Sequence, residues 1–473
     1  MKMPAKNKRK KVTVLGAGVT GLSAAWKLSP YFDVEVIERA GRVGGLATSF
    51  KYKDYILDYG PHKIYTQIPG VLNEYKALLG DDLLTVPKKS KLRLNGKLID
   101  FPVRMSQVVG AVGMVKSALL GFGFAIAILK RFIGKKKPVS YKDFIVKRFG
   151  NAAYNLVFRG YAQKVWGDPR GLSAEAARIR VPQTGLFQMV KGMVFGVKND
   201  PSFSADEFYY PKKGIIEVSN RMADIIKKNR GKIVLGATVT GLRLKGKRVV
   251  GIEYSDGKAK RLSKTDSVVS TLPLNILLRL MKAPERMIEE AEKLKTRSLV
   301  LLYLFFDKPR IINANWTFFP EPQFIFNRLS EQKSFSPYTV PENKSVMVAE
   351  ISCDFNDRLW NDPDREIMEL VAKDLEKAGI MRREEIRDYF TVKLKDIYPI
   401  YLIGYEQNLG EIVEYLDGFE NLISIGRSGL FNYNNTDHCL DMGRTAASHI
   451  ISGRGIEGWK MARQKFKTYT IVD

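Results

Sequence analysis

An α/β architecture in several parts is what this sequence predicts, and three observations predict it. Residues 11–16 (KVTVLG) form a short apolar, β-branched run that leads into a glycine turn, an Ala-rich helical stretch and a second apolar run at 33–38, DVEVIE. Strand signals of the same kind return far downstream, at 266–274 (DSVVSTLPL) and from 421 (NLISIG). Between them lie a basic, apolar segment of helical character and a set of strand-like runs, LVLLYLFF, SVMVAEIS and FTVKL. A nucleotide-binding sheet drawn from separated segments, with an inserted helical part and a second sheet, accounts for all three.

Composition sets the limits. The chain has 473 residues, 45% apolar and 11% aromatic, which suits two or three globular domains and excludes disordered, collagen-like and coiled-coil classes. Two cysteines, Cys353 and Cys439, exclude a disulfide scaffold and point to a reducing, cytoplasmic compartment. With only three histidines, zinc sites of the usual spacing are excluded and no metal is expected. The N-terminal MKMPAKNKRKK has no apolar core of a secretory signal and reads as a basic tail, either solvated or attracted to phosphates or membranes.

The glycine turn is GAGVTG, with Gly16, Gly18 and Gly21 in strand–turn–helix–strand context. Gly16 permits the tight turn, Gly18 lets backbone approach a pyrophosphate, and Gly21 allows close helix–strand packing. The helix N-terminus then offers free N–H groups to the phosphates. Glu38, 17 residues after Gly21, stands where it would accept ribose hydroxyls. This is the Rossmann-type fingerprint.

The residues just past the second strand narrow the nucleotide. Glu38 and Arg39 lead into AGRVGGLATSF, which places Arg42, Gly44, Gly45 and Leu46 directly behind it. This stretch resembles the Arg-x-Gly-Gly segment of the FAD superfamily that contains amine oxidases, phytoene desaturases, protoporphyrinogen oxidases and UDP-galactopyranose mutases. The resemblance implies FAD, with the Arg on its pyrophosphate and the paired glycines against the flavin. An Arg fork suits phosphate oxygens, and Gly-Gly allows close approach to a flat ring.

Scattered motifs extend the resemblance over most of the chain. YILDYGPHKIYT (55–66) carries a Gly-Pro-His like that of the mutases, which implies a flavin-proximal role for His62. Residues 211–257 read as a helix, a strand and a hairpin turning at Lys245–Lys247, and the resemblance puts Val239 by the adenine. Residues 421–450 read as a strand, a loop and a helix that starts around Thr436–Asp437 with Asn435 or Thr436 as its cap. By resemblance, Gly426 and Arg427 lie by the ribitol and pyrophosphate, and Asp437 and His438 open the helix that points at the flavin. Amine oxidases and phytoene desaturases have Gly-Asp where this chain has Gly426-Arg427. The Gly-Arg form, followed by Tyr433 and N-x-D-H, is closer to the mutases and to prokaryotic protoporphyrinogen-oxidase-like proteins.

Three substrate-side segments also look mutase-like: Tyr161, Trp166 and Arg180 in 161–181, Asn327 and Arg328 in 324–337, and Tyr398 in 396–409. The resemblance implies that Arg180 and Arg328 clamp a diphosphate with Tyr398 and Tyr433 beside them; as isolated arginines, structural ion pairs are the equal alternative. Guanidinium pairs suit diphosphate and carboxylate alike.

Charge is uneven. Of a net +27, residues 1–11 hold six Lys/Arg and no acid, and residues 88–200 hold 22 Lys/Arg against five Asp/Glu. Inside that region Met105–Leu129 is apolar, with Lys116 its only charge, and KRFIGKKKP follows at 130–138. A single bilayer crossing would strand the two halves of one nucleotide domain on opposite sides, so it is excluded. Two readings stay open: buried helices broken near Gly121 and Gly123, or a surface patch over 105–137 that meets an anionic membrane, peripheral on its inner face. No helix-turn-helix, zinc-finger or RNA-binding signature accompanies the charge, so nucleic acid is not an expected partner.

The expected organisation is an FAD-binding domain over 8–85, 206–290 and 415–453, a mostly helical basic insert over 86–205, and a mixed-sheet substrate domain over 291–414. The expected activity is dehydrogenation of an anionic, amphipathic or lipid-like substrate, in the manner of protoporphyrinogen oxidases. The alternative is an isomerase like UDP-galactopyranose mutase, in which reduced flavin acts as nucleophile on a sugar nucleotide.

Overall fold

The structure is a computed structural model that describes residues 9–471 apart from 102, 104, 134–136 and 181–205. Expectations placed on residues 1–8, on Lys135 and Lys136, and on the end of the basic insert therefore lie outside the described residues.

One five-stranded parallel sheet takes its strands from distant parts of the chain, in the order Leu422–Ser424, Ser267–Ser270, Lys11–Leu15, Asp33–Ile37, Lys232–Val234. Val12, Val14, Val34, Val36, Val268 and Val269 are all but sealed from solvent, as the β-branched strands of a sheet covered on both faces must be. Helix Val19–Leu28 lies on one face, and helix Thr436–Ser452 packs on it so closely that a Cβ on Gly443 would sit 2.4 Å from the Thr20 carbonyl oxygen. Helix Ile216–Lys228 precedes the strand Lys232–Val234, and the hairpin Thr238–Lys245 with Arg248–Ser255 follows it, in the expected order.

A second, mixed sheet of seven strands runs Asp388–Pro399, Thr296–Phe306, Ser345–Cys353, Arg328–Glu331, Trp316–Phe318, Ser90–Leu94, Lys97–Asp100. The last two strands come from the segment expected to be helical. Leu92, Arg93, Leu94 and Ile99 are buried while Lys97, Leu98 and Asp100 are exposed, so no clean two-residue period marks this hairpin in a sequence dense with lysines. Helices follow: Met105–Val112, Met114–Ile133, Tyr141–Ala153, Arg159–Trp166 and Ala174–Arg178.

The expected break near Gly121 and Gly123 is not there. The break is at Gly113, whose φ of +82° ends the first helix. Gly123 instead lets a neighbour approach: a Cβ on Gly150 would lie 2.6 Å from the Gly123 carbonyl oxygen. Full burial of this apolar stretch is also corrected, because Met114, Val115, Leu119, Phe122 and Leu129 face solvent. Among the described residues, no helix is long and apolar enough to cross a membrane.

Candidate active site

At the mouth of the parallel sheet the backbone does the shaping. Gly16 has φ +101°, and a Cβ on Gly21 would fall 2.0 Å from the Gly16 carbonyl oxygen, so the turn and the helix share a space that admits no side chain. Gly44 donates its N–H to the Ala17 carbonyl at 2.8 Å, and a Cβ on Gly45 would meet the Gly18 Cα at 3.1 Å. Helix Val19–Leu28 starts at Gly18 with no side chain capping it and no acid in its first turn, which leaves its N-terminal dipole open to an anion. Glu38 directly follows the neighbouring strand and accepts the N–H groups of Ala17 and Ala40, each at 2.7 Å. A Cβ-free cradle, an open helix N-terminus and a carboxylate at the strand end together fit the adenosine diphosphate part of FAD.

Other expected cofactor residues fall differently. Arg39 is exposed, and Leu46 is half-buried. Arg42 hydrogen-bonds the Tyr59 hydroxyl and lies over the rings of Phe50 and Tyr59. Val239 pairs with Tyr254 in the three-stranded antiparallel sheet, while the strand that joins the parallel sheet is Lys232–Val234; Val239 stays near Glu38 because the Ala237 N–H donates to the Glu38 carbonyl at 2.8 Å. A Cβ on Gly426 would come within 3.1 Å of the Thr20 hydroxyl, at the start of helix Val19–Leu28.

The helix Thr436–Ser452 begins where the spacing predicts, capped by Asn435. His438 belongs to that cap: its Nδ1 accepts the Asn435 N–H at 3.1 Å, and its ring stacks on Tyr469 at 4.5 Å. Its nitrogen is thus occupied with the fold. Asp437 beside it is buried, with Oδ1 lacking a hydrogen-bond partner.

A cleft opens next to this helix start. His62, Arg180, Arg328, Tyr398, Arg427 and Tyr433 all line it, although they come from widely separated segments of the chain. Tyr398 and Tyr433 stack at 5.4 Å and 10°. The Arg427 guanidinium stands 4.9 and 4.8 Å from those two rings, and its Nε and NH2 are buried without a hydrogen-bond partner. Sequence resemblance places Arg427 by the ribitol and pyrophosphate of the cofactor; one residue past Gly426, its side chain lines the cleft wall. Arg180 hydrogen-bonds the Tyr433 hydroxyl and lies 5.0 Å from the Trp166 ring. Arg328 grips Glu350 in a two-pronged pair, Nε to Oε1 at 2.5 Å and NH2 to Oε2 at 2.8 Å, which raises its already high pKa.

His62 follows the strand Tyr55–Asp58 and a Gly60 with φ +77°. Its Nδ1 is 3.2 Å from the Gly60 carbonyl, which can only accept, so Nδ1 carries the hydrogen and Nε2 the lone pair. Burial, together with Arg328 and Arg427, pushes this imidazole down to about 4, so it is neutral at physiological pH. Beneath it Asp58 is sealed in, accepting from the Ser49 and Tyr210 hydroxyls at 2.6 Å each, and burial pushes it up to about 6.

Glu350, Lys63, Tyr59 and Trp316 also line the cleft, and sequence reasoning does not find them. Glu350 has a signal: it is the single charge in the apolar strand Ser345–Cys353. A lone acid in such a run marks a buried partner for a cation.

A model of the family described as "Flavin containing amine oxidoreductase" matches residues 19–393. The chain belongs to that family. The flavoprotein is 22% identical to coproporphyrinogen III oxidase of Staphylococcus aureus (strain NCTC 8325 / PS 47), over 94% of this chain and 99% of that one. Its fold is similar to that of reduced UDP-galactopyranose mutase (TM-score 0.82, 19% identity, 98% and 99% of the two chains) and of putrescine oxidase (TM-score 0.66, 16% identity, 94% and 99%). FAD and the oxidoreductase class come with the family, and the α/β fold is the one its members share.

Proposed function

We propose that the flavoprotein dehydrogenates a small anionic, amphipathic substrate held in the cleft beside the helix start at Thr436. The observation that carries this reading is the charge of the cleft. Arg427 lines the cleft with its Nε and Nη2 buried and without a hydrogen-bond partner, the carboxylate of Glu350 is already taken by Arg328, and His62 is neutral, so an anion suits the site. FAD, held by the Gly16–Gly21 turn, Glu38, Arg39, Arg42, Gly44–Leu46, Val239 and the 426–438 segment, supplies the hydride acceptor when bound.

The chain's own residues would divide the rest. Arg427 and Arg180 take the anion, and Tyr398 and Tyr433 present stacked faces and hydroxyls to the body of the substrate. Burial raises the Tyr398 hydroxyl well above its ordinary pKa, so it stays a donor. His62 offers Nε2 as the proton acceptor. Arg328 positions rather than binds, since Glu350 already holds its fork.

The name of the Staphylococcus aureus relative supports coproporphyrinogen III as the first substrate to try. The three-segment FAD domain, the basic insert and the substrate sheet are proposed with the boundaries read from the sequence. The partners proposed with them are an anionic or lipid-like small molecule and, through residues 105–137, the inner face of an anionic membrane.

A second reading has its own observation: Arg180, Arg328, Tyr398 and Tyr433 do share one cleft, as a sugar-diphosphate clamp needs. Against it stands the Glu350 carboxylate on Arg328. Protein reduced anaerobically and mixed with UDP-galactopyranose, followed by NMR, separates the two. The oxidoreductase reading expects no furanose; furanose appearing while the flavin stays reduced overturns it.

A further inference from the structure

Helix Met114–Ile133 turns an apolar face outward. Met114, Val115, Leu119, Phe122 and Leu129 are 59–81% exposed. At roughly 100° per residue they fall within an arc of about 140°, and Ala118, Ala125 and Ile126 in the same arc are apolar too. The chain's own packing is on the opposite side, where Ser117 and Ala127 are buried and Gly123 meets Gly150 of the next helix. Among the described residues, nothing covers this stripe. A helix whose outer face only met water would carry Lys and Glu there.

Charge says what covers it. The stripe lies in the segment that holds 22 Lys/Arg against five acids, and the helix sequence contains no acid. Lys116 is exposed at its edge, and Lys137 and Lys142 are exposed just beyond its end. A second copy of this face would bring like charges together. An anionic lipid surface satisfies both features, taking apolar side chains into its acyl boundary and ammonium groups among its head groups.

We propose that this helix lies in the plane of an anionic bilayer, with Leu119, Phe122 and Leu129 inserted and Lys116, Lys137 and Lys142 at the head groups. At 20 residues it runs about 30 Å along the surface. The inference deepens the membrane partner proposed above, and it stands whichever reaction the cleft performs.

The test is flotation of the FAD-loaded protein with phosphatidylcholine vesicles, with and without phosphatidylglycerol, at low and high salt. The expected result is binding that needs phosphatidylglycerol, falls with salt, and drops about tenfold or more in a Leu119→Ser/Phe122→Ser variant of unchanged flavin absorbance and Tm. A Phe122→Trp variant should show a blue-shifted emission on adding the anionic vesicles. Variant binding equal to that of the parent would overturn the insertion, leaving charge attraction alone. Absence of binding, or a dimer in light scattering that the double variant abolishes, would overturn the membrane as occupant, as would capture by duplex DNA with vesicles ignored.

Discussion

Around Gly16–Gly21 the distances that matter run between backbone atoms: a Cβ on Gly21 would stand 2.0 Å from a carbonyl oxygen, and Gly44 and Gly45 press on Ala17 and Gly18. In the cleft they run between side chains: Arg328 to Glu350, Arg180 to Tyr433, Arg427 against two stacked tyrosines. The first region gets its specificity from what is missing, since only hydrogen fits where the backbone must close in. The second gets it from long side chains that the fold brings together from opposite ends of the chain. Damage to the first should therefore cost folding and cofactor together, and damage to the second should cost ligand while the cofactor stays.

The largest expected effect breaks the backbone region. Gly21→Val forces a Cβ into the Gly16 carbonyl and Gly443→Val forces one into Thr20, so each should yield protein that is insoluble or lacks the flavin's visible absorption band. Gly41→Ala, where nothing lies within 4 Å, should change Tm by less than about 2 °C. Next comes Glu350→Gln, which removes the buried carboxylate that holds the half-buried Arg328 guanidinium; urea denaturation should show a loss of about 3 kcal/mol. A loss under about 1 kcal/mol would mean that Arg328 has another partner and is free to bind ligand.

Arg427→Gln sharpens the comparison, because the residue sits between the regions. Its expected cost is about 1.5–3 kcal/mol in affinity for an anionic ligand, with flavin content unchanged. Loss of flavin instead would return Arg427 to the cofactor phosphates.

The smallest effects are two opposed pH dependences. Asp58, raised to about 6, holds its proton in the folded protein after the unfolded chain has released it. Its stabilisation is full below about pH 4 and lost as pH rises through 6. His62, lowered to about 4, contributes fully above about pH 6.5, and that contribution is lost as pH falls through 4. Between about pH 4 and 6.5 the Tm of Asp58→Asn relative to the parent should therefore climb with pH, and that of His62→Gln should fall.

The same contrast explains what can be read from the sequence. Gly16, Gly18, Gly21 and Glu38 sit within one strand–helix–strand stretch, so local spacing alone places them. The start of the helix at Thr436 is legible because a cap is a local device. The cleft is legible only through resemblance, since nothing in the sequence near Arg328 says that Glu350, 22 residues away, will hold it. The place of the Arg427 side chain in the cleft wall is not legible, because its motif sets the Gly426 backbone against Thr20 and leaves the next side chain to tertiary packing. The hairpin at Ser90–Asp100 is hidden by its lysines. The Gly121–Gly123 break fails because glycine serves helix crossings as well as helix ends.

The central claim is that this arginine-lined cleft presents an anionic, reduced substrate to the flavin. The direct measurement is anaerobic mixing of the oxidised, FAD-loaded protein with coproporphyrinogen III, read in the flavin's visible band. The account predicts stoichiometric bleaching, with Arg427→Gln requiring at least about tenfold more substrate for the same rate. An unbleached flavin, in protein that when reduced converts UDP-galactopyranose to its furanose, would contradict it.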